Sequence, residues 1–318
     1  MKWRRLGKVF DPTQFTLPAG CAEYAQSPQA LVLDDRVRVY FSTRSRDPRS
    51  GKYASHVAFV DMNKDLRRAI GVSAKEVIEL GGLGCFDEHG IFPMNVVPHG
   101  DTVLGYTCGW SRRVSVSVET SIGLAVSRDN GNSFEKLGTG PILTASLREP
   151  FLVGDGFVRI IGDLFHMWYI FGTTWKRFSD DLPPDRTYKI GHAISSDGAS
   201  WVKEEARQII SDRLGPDESQ ALPTVVEIDG RHHMFFCYRE SSDFRLNPAR
   251  GYRIGHAHSD DLHNWTRDDE MSGLESHSGE WDSEMMCYPN AFWCDSRIYM
   301  LYNGNAFGRF GFGLAVLE

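Results

Sequence analysis

The stretch Glu218-Ser-Gln-Ala-Leu-Pro223 decides the fold, because its pattern of a Glu five residues before a Pro recurs along the chain. Three other stretches share it: Glu23-Tyr-Ala-Gln-Ser-Pro28, Glu88-His-Gly-Ile-Phe-Pro93 and Glu284-Met-Met-Cys-Tyr-Pro289. Successive Glu residues of the pattern are 65, 130 and 66 positions apart. This spacing predicts a repeat architecture with one unit hidden in the longest interval. We assign that unit to Arg148-Glu-Pro150, so that the five units begin near residues 23, 88, 149, 218 and 284.

Within each unit, runs of aromatic and β-branched residues alternate with turns, as is typical of strands. Three units also contain a Ser-x-Asp turn that leads to an aromatic residue, as in Ser195-Ser-Asp-Gly-Ala-Ser-Trp201. Five units of about 60 residues without sustained helical periodicity predict an all-β fold, a five-bladed β-propeller with four-stranded antiparallel blades. We expect one domain over residues 1–318, with Trp3 to Val9 supplying the outer strand of the last blade.

The composition excludes several classes of protein. The 318 residues include 35 Lys and Arg against 42 Asp and Glu, a net charge of −7, which argues against nucleic-acid binding. No apolar run reaches the roughly 18 residues that a membrane span needs. The N-terminus lacks the features of a secretory signal, and the six cysteines form no Cys-x-x-Cys pair. We therefore expect a cytoplasmic protein with reduced thiols.

At this level of detail the chain resembles the five-bladed propellers of glycoside hydrolase families 43, 32, 62 and 130, over residues 20–318. The motifs that carry the resemblance are the Arg148-Glu149-Pro150 tripeptide, the Gly-His-Ala-x-Ser-x-Asp-x-x-x-Trp hairpins, and the closing segment from Tyr299 to Asn305. The resemblance implies activity on a glycosidic bond, and a carbohydrate or glycoconjugate as the partner.

The repeated acids are the candidates for that chemistry, because the innermost strands of a propeller converge on one central funnel. They are Glu23, Glu88 with the adjacent Asp87, Glu149, Glu218 and Glu284. Cleavage of a glycosidic bond needs one carboxylic acid and one carboxylate, and acids brought close together differ in pKa. With the roles that family 43 implies, we assign pKa tuning to Glu149, the general acid to Glu218 and the general base to Glu23. A purely architectural role for these acids remains the alternative.

Further polar and aromatic residues follow the predicted inner strands and are candidates for substrate binding. Arginines hold phosphate or carboxylate groups bidentately, and indole rings stack on sugars. The full set of candidate substrate-binding residues is Asp87, Glu88, His89, Arg44, Arg46, Trp110, Arg239, Glu284, Asn303 and Asn305. We find no metal-binding spacing of His and Cys and expect no required cofactor, although a ring of carboxylates leaves room for a central structural cation.

Two departures from the family 43 pattern keep other functions open. Ser27 stands before Pro28 where the first blade usually has Asp, and Ala221 occupies the usual position of the fourth-blade Glu. A glycoside phosphorylase or transferase is one alternative, with Arg44, Arg46 and Arg239 holding phosphate. A catalytically lapsed, carbohydrate-binding propeller is another, and a sialidase-like enzyme is a third. The sequence leaves open the sugar, the linkage, the stereochemical outcome and the oligomeric state.

Overall fold

The computed structural model describes residues 1–47, 50–180, 182–274 and 279–318, and strands dominate it, which confirms the predicted all-β class. The strands of these residues are β1 Trp3–Phe10, β2 Glu23–Val32, β3 Val37–Arg46, β4 Tyr53–Met62, β5 Ala69–Val72, β6 Gly90–His99, β7 Thr102–Arg112, β8 Val118–Ser127, β9 Glu135–Lys136, β10 Val153–Ile161, β11 Leu164–Lys176, β12 Asp185–Ser195, β13 Val202–Lys203, β14 Glu218–Ile228, β15 Arg231–Glu240, β16 Arg253–Ser259, β17 Thr266–Arg267, β18 Cys287–Cys294, β19 Arg297–Asn303 and β20 Phe312–Leu317.

Helical structure in the described residues consists of short 3₁₀ turns at Pro12–Gln14, Pro18–Gly20, Pro248–Arg250, Asp269–Ser272 and Asn305–Gly308. None of these turns is long and apolar enough to cross a lipid bilayer. Side chains of the central strands are buried on both faces, as in β11, where eight consecutive residues from Phe165 to Gly172 are buried. Burial on both faces explains why the alternation of polar and apolar residues is weak in the sequence.

The strands form four-stranded antiparallel arrays that follow one another along the chain. The arrays are β2-β3-β4-β5, β6-β7-β8-β9, β10-β11-β12-β13, β14-β15-β16-β17 and β18-β19-β20-β1. The first two are joined into a larger sheet by one parallel bridge between Ser55 and Gly90. The last array contains the N-terminal strand, since β1 pairs with β20. The predicted closure by Trp3 to Val9 is therefore confirmed.

The first strand of each array packs against the first strands of two other arrays. The contacts run from β2 to β6, β10, β14, β18 and back to β2, and so form a closed cycle. Side-chain amides link several of these strands: Asn95 donates to the Oε1 atom of Gln29 at 3.2 Å, and Asn290 donates to the same atom at 3.3 Å. Residues far apart in sequence are thereby brought around one common centre.

Each of these five strands has a register shift near its middle, where two residues leave the regular ladder. The shifts lie between Gln26 and Gln29, Ile91 and Met94, Gly154 and Phe157, Ala221 and Thr224, and Cys287 and Asn290. In four strands the second of the two residues is one of the repeated prolines, Pro28, Pro93, Pro223 or Pro289. Such bulges re-aim side chains, and here they turn residues towards the common centre.

The bulges correct the sequence alignment of the third unit. In β10 the two irregular residues are Asp155 and Gly156, and Asp155 has a φ of +50°. Glu149 and Pro150, by contrast, precede the first residue of β10. The residue equivalent to those before the repeated prolines is therefore Asp155. A Gly replaces the marker proline in this unit, which hid the alignment.

Candidate active site

A central cavity of about 400 Å³ lies among the first strands of the arrays. It is lined by bulge residues, by residues of the second and third strands, and by loops. Its described lining includes Tyr24, Gln26, Arg44, Tyr53, Ser55, Phe92, Cys108, Trp110, Ser117, Val118, Thr120, Leu152, Asp155, Ile170, Arg186, Tyr188, Arg239, Phe244, Arg245, Tyr252, Tyr288, Ala306 and Phe307. Aromatic rings and arginines dominate this surface, a combination that suits a polar ring-shaped ligand with negative charge.

Asp155 is the single carboxylate among the described residues that line this cavity. Asp155 lies in the bulge of β10, and 8 % of its surface is exposed to solvent. Burial raises the pKa of this carboxyl to about 7, against the opposing influence of the Arg186 guanidinium. A carboxylic acid that still holds its proton near neutral pH has the property that a general acid needs.

Arg239 is enclosed in the wall of the same cavity, with 1 % of its residue exposed. Its guanidinium carbon lies 3.5 Å from the centre of the Phe244 ring, and it donates to the Tyr188 hydroxyl at 3.0 Å. The Tyr188 and Tyr252 hydroxyls lie 2.6 Å apart. Among the described residues, no carboxylate forms an ion pair with Arg239. The positive charge is thus held by aromatic faces and hydroxyls rather than by a paired carboxylate.

Three more arginines line the cavity. Burial lowers the pKa of Arg44, whose guanidinium carbon lies 5.1 Å from the centre of the Tyr24 ring. Arg186 and Arg245 both approach the carboxylate of Asp185, at 3.7 Å and 3.2 Å respectively. The described cavity wall therefore holds four arginines and one acid, two of the arginines approach Asp185 outside the lining, and the pKa of about 7 leaves Asp155 only partly ionised at neutral pH.

The repeated acids do not meet in this cavity. Glu149 is fully buried, accepts a hydrogen bond from the Tyr169 hydroxyl at 2.8 Å, and forms an ion pair with Lys203 of β13. Glu218 is also fully buried and pairs with Arg267 of β17 at 2.6 Å. In both cases the cation comes from the outermost strand of the same array.

Two further acids make the same kind of pair. Asp87 is buried and pairs with Lys136 of β9, and Asp282 pairs with Arg5 of β1 at 2.6 Å. We call these four pairs the clasps: Asp87–Lys136, Glu149–Lys203, Glu218–Arg267 and Asp282–Arg5. Each clasp joins the segment that begins the innermost strand to the outermost strand of its array. The acids thus hold the two sides of an array together, which matches the architectural alternative stated above.

The remaining repeated acids lie nearer the surface. Glu23 forms an ion pair with Arg309, and about a third of its side chain is exposed. Glu88 accepts a hydrogen bond from the backbone of Gly84 at 3.0 Å, and Glu284 is exposed. None of the three belongs to the described lining of the central cavity. Their predicted roles, and those of Glu149 and Glu218, stay predictions that this geometry does not favour.

The other candidate binding residues divide between cavity and scaffold. Arg44, Trp110 and Arg239 line the cavity. The His89 ring stacks on Trp110 with centres 5.9 Å apart, and burial lowers the pKa of this imidazole. Arg46 is exposed, lies 4.5 Å from the centre of the Tyr53 ring and donates to the Gly51 carbonyl oxygen.

The two asparagines hold backbone segments in place. Asn303 is buried and donates to the carbonyl oxygens of Ala25 and Gly311 at 2.8 Å, which ties the last array to the first. Asn305 accepts a hydrogen bond from the backbone of Glu284 at 2.8 Å. The described residues contain no group of three or more His, Cys, Asp or Glu side chains placed to hold a metal ion. The central cation stays a prediction.

Sequence reasoning missed Asp155, Arg186, Arg245 and the tyrosine cluster of Tyr188, Tyr252 and Tyr288. Asp155 was accessible in principle, because Val153-Gly-Asp-Gly-Phe-Val158 has the strand pattern that follows the other repeated prolines. If the third unit is aligned with the others by its strand pattern rather than by the pair Glu149-Pro150, Asp155 falls at the position before the repeated prolines. Arg186 and Tyr188 belong to β12, Arg245 and Tyr252 to the segment between β15 and β16, and Tyr288 to the bulge of β18. Their approach to the cavity depends on the closed cycle of arrays.

Two proteins of Mycobacterium tuberculosis are similar to the chain over its whole length. "Uncharacterized protein MT1551" (strain CDC 1551 / Oshkosh) and "Uncharacterized protein Rv1502" (strain H37Rv) are each 33 % identical over 324 residues, with 100 % of both chains covered. No protein-family model matches the chain.

Solved structures of glycoside hydrolases and a phosphorylase share the fold. A structure titled "Glycoside hydrolase" has a TM-score of 0.74 at 16 % identity, covering 99 % of this chain and 92 % of the other. A thermostable family-43 glycoside hydrolase has a TM-score of 0.64 at 14 % identity, with 95 % and 90 % covered. The β-1,2-mannobiose phosphorylase from Listeria innocua has a TM-score of 0.68 at 12 % identity, with 100 % and 97 % covered. This protein belongs to the family of MT1551 and Rv1502, and it has the fold of the glycoside hydrolase-like propeller superfamily.

Proposed function

We propose that this protein is a carbohydrate-active enzyme, one five-bladed propeller domain that cleaves a glycosidic bond in its central cavity with Asp155 as the proton donor. The closed cycle of five antiparallel arrays supports the five-bladed arrangement. The fold shared with glycoside hydrolases and a mannobiose phosphorylase favours a carbohydrate as the ligand.

The observation that carries this proposal is the position and protonation of Asp155. It is the lone carboxylate of the described cavity wall, and burial raises its pKa to about 7. The resemblance to family 43 implies a pKa-tuning acid in the third blade, and the corrected register supports Asp155 at that position. The role of proton donor is proposed from its burial and its raised pKa instead. Protonation of the leaving oxygen at neutral pH needs an acid of this kind.

The described cavity wall contains no second carboxylate, and this affects which group can attack the anomeric carbon. Hydrolysis by a carboxylate pair needs a base or nucleophile about 5–9.5 Å from the acid. Phosphorolysis needs only the acid: a phosphate oxygen bonds to the anomeric carbon, the glycosidic bond breaks, and the leaving oxygen takes the proton of Asp155. The arginine-rich wall favours such an external, negatively charged nucleophile over the predicted pair of Glu23 and Glu218.

The same absence favours one second candidate, a propeller that binds a sugar without turning it over. The two functions differ in a direct assay. The enzyme releases a reducing sugar or a sugar 1-phosphate from a member of a glycan panel, with or without inorganic phosphate, whereas the binding protein releases neither.

The test of the proposal is Asp155→Asn, which keeps the side-chain shape and removes the proton that would be donated. We expect kcat/KM to fall by about 10²- to 10⁴-fold, the usual contribution of a general acid. Glu23→Gln is the matched control at the predicted base, and we expect it to retain turnover. Turnover that survives in Asp155→Asn and is lost in a folded Glu23→Gln or Glu218→Gln would restore the original acid–base assignment.

A further inference from the structure

The charge of Arg239 sets it apart from other buried arginines in the described residues. Arg38 is buried and pairs with Asp61 at 2.7 Å, and the Arg267 side chain, 6 % exposed, pairs with Glu218 and Asp269. Arg239 is more deeply buried than either of these residues, yet no described carboxylate pairs with it. Taking a charge out of water without a paired counter-charge costs several kcal/mol. A charged group that lies at a cavity wall without an ion-pair partner is a candidate for ligand binding.

The hydrogen-bonding state of this guanidinium points the same way. One terminal nitrogen donates to the Tyr188 hydroxyl and the other to the backbone oxygen of Glu240, whereas the buried Nε atom has no hydrogen-bond partner among the described residues. The Nε atom of Arg44, in the wall of the same cavity, is likewise buried without one. Guanidinium groups with unused donors are suited to bidentate contacts with phosphate or carboxylate oxygens.

We propose that Arg239 and Arg44 form an oxyanion-binding site in the central cavity, and that the ligand of this protein carries a phosphate or carboxylate group there. The inference rests on the proposed function, because it specifies the charge of the ligand on which Asp155 is proposed to act. It also accounts for the aromatic surroundings: Phe244, Tyr188 and Tyr252 hold the arginine rigidly without pairing its positive charge.

The surface outside the cavity continues the positive charge. A second depression of about 570 Å³ shares Trp110, Ser117 and Val118 with the cavity, and its described lining includes Lys52, Arg112, Arg113 and Arg177. Together the two described linings contain eight basic side chains and one acid, in a protein whose net charge is −7. Asp185 and Glu119, outside these linings, pair with Arg186, Arg245 and Arg113, and the basic groups still outnumber the acids. Such a local excess of one sign raises the concentration of oppositely charged ligands at the mouth of the site.

The anionic group can belong to a free ion or to a charged sugar, and binding experiments distinguish these two cases. Inorganic phosphate represents a free anion that acts as the nucleophile. D-glucuronate and glucose 6-phosphate represent an anionic group attached to a sugar, and glucose is the neutral control. Isothermal titration calorimetry measures each affinity at constant ionic strength, so that general screening does not change between ligands.

The variants are Arg239→Gln, Arg239→Lys and Arg44→Gln, with Arg231→Gln as the matched control. Arg231 pairs with Asp260 on the surface and lies outside the described cavity wall. We expect at least one anionic probe to bind the native protein more tightly than glucose. Its affinity falls about 10- to 100-fold in Arg239→Gln, the loss of a charge-assisted hydrogen bond, and falls less in Arg239→Lys, which keeps the charge without the planar fork.

The pattern of affinities assigns the source. Tightest binding of phosphate identifies a free anion, and tightest binding of glucuronate or glucose 6-phosphate identifies a charged sugar; both support the site if the arginine variants weaken binding. Binding that is unchanged in a folded Arg239→Gln, or that never exceeds that of glucose, overturns the proposal. Should Arg239→Gln not fold, Arg44→Gln decides by the same criterion.

Asp155→Asn keeps this test apart from that of the proposed function. The variant retains every guanidinium, so we expect it to bind the anionic probe at least as tightly as the native protein. Anion binding in a protein without any turnover would leave the oxyanion site standing and refute only the enzyme.

Discussion

The clasps and the central cavity treat buried charge in opposite ways. In the clasps every carboxylate has a cation from the outermost strand of its own array, as Glu149 has Lys203. In the cavity wall Arg186 and Arg245 approach Asp185, but Arg44 and Arg239 form no ion pair with a carboxylate among the described residues. The contrast separates two reasons for keeping a charge inside a protein: fastening strands together, and meeting a ligand.

The difference also shows why repetition along a sequence is a poor guide to chemistry in this fold. A clasp recurs in four arrays because each array has the same two sides to join. The first bulge positions do not recur: they hold Ser27, Phe92, Asp155, Leu222 and Tyr288, five different side chains, of which Phe92, Asp155 and Tyr288 line the cavity. The repeated acids therefore indicate the scaffold, whereas the first bulge position, at which the side chain varies between arrays, indicates the candidate site.

The largest expected effect on stability comes from opening one clasp. Glu149→Gln keeps an acceptor for the Tyr169 hydroxyl and the Ala206 backbone but leaves the Lys203 ammonium, on a side chain that is 10 % exposed, without a carboxylate. We expect the free energy of unfolding to fall by about 3–5 kcal/mol, as when one partner of a buried pair is removed. Urea unfolding measures the change.

Two controls calibrate that result. Asp260→Asn breaks an exposed pair with Arg231, which should cost less than about 1 kcal/mol. Glu218→Gln leaves Arg267 paired with Asp269 at 2.9 Å, so its cost should fall between those of Asp260→Asn and Glu149→Gln. A Glu149→Gln protein of native stability that has lost turnover would instead give Glu149 the chemical role predicted from the sequence.

A smaller effect is expected when both partners of the clasp are neutralised. In the double variant Glu149→Gln, Lys203→Met the unpaired ammonium is gone, and Met covers the space of the Lys methylenes. We expect the double variant to recover all but about 1 kcal/mol of the stability lost in Glu149→Gln, since neutral replacement of a buried pair costs little. Equal instability of single and double variants would mean that Glu149 stabilises the array through its hydrogen bonds rather than through charge.

The scaffold was more predictable than the site, and particular residues show why. Strand content, the repeat spacing and the outer strand supplied by Trp3 to Val9 follow from local patterns, which short-range sterics and burial determine. The function of Glu149 and Glu218 did not follow, because their partners Lys203 and Arg267 lie about 50 residues away on strands of two residues. No local sequence pattern identifies those two-residue strands as the source of the cations that pair with Glu149 and Glu218.

The central cavity was predictable only in part. Arg44, Trp110 and Arg239 were found because they follow strand ends that a propeller brings together. Asp155 was hidden, since Gly156 stands where four other arrays have Pro and the repeat was aligned on Pro150. A bulge with a positive φ at its first residue is a property of the paired strands, and sequence spacing alone does not reveal it.

The two kinds of buried group predict opposite pH dependences. Burial lowers the pKa of His192 to about 3 and those of His233 and His256 to about 4. The unfolded state takes up protons more tightly at these imidazoles, so the stability that their neutral form contributes is lost as the pH falls from about 6.5 towards 4. We expect the melting temperature to drop over that range.

Asp155 acts in the other direction, because its pKa is raised to about 7 in the folded protein from 3.8. The folded state binds this proton more tightly, so the stability it contributes is present below about pH 3.8 and is lost as the pH rises to about 7. The melting temperature of Asp155→Asn should exceed that of the native protein by a margin that grows by a few degrees from pH 4 to pH 8. A constant margin would show that Asp155 ionises normally and is no proton donor near neutral pH.

The smallest expected effect concerns a turn that belongs to neither the clasps nor the cavity. Asp129 accepts hydrogen bonds from the Ser127 hydroxyl at 2.7 Å and the Ser133 backbone at 2.9 Å, and these bonds lower the pKa of its carboxyl despite the opposing effect of burial. Asp129→Ala should reduce the free energy of unfolding by about 1 kcal/mol, the net contribution of local hydrogen bonds. Turnover and anion binding should be unchanged, because the turn lies outside the described cavity wall. Loss of anion binding in a folded Asp129→Ala would mean that the cavity depends on the outer turns of the arrays, and the separation between fastening and ligand-binding charges would fail.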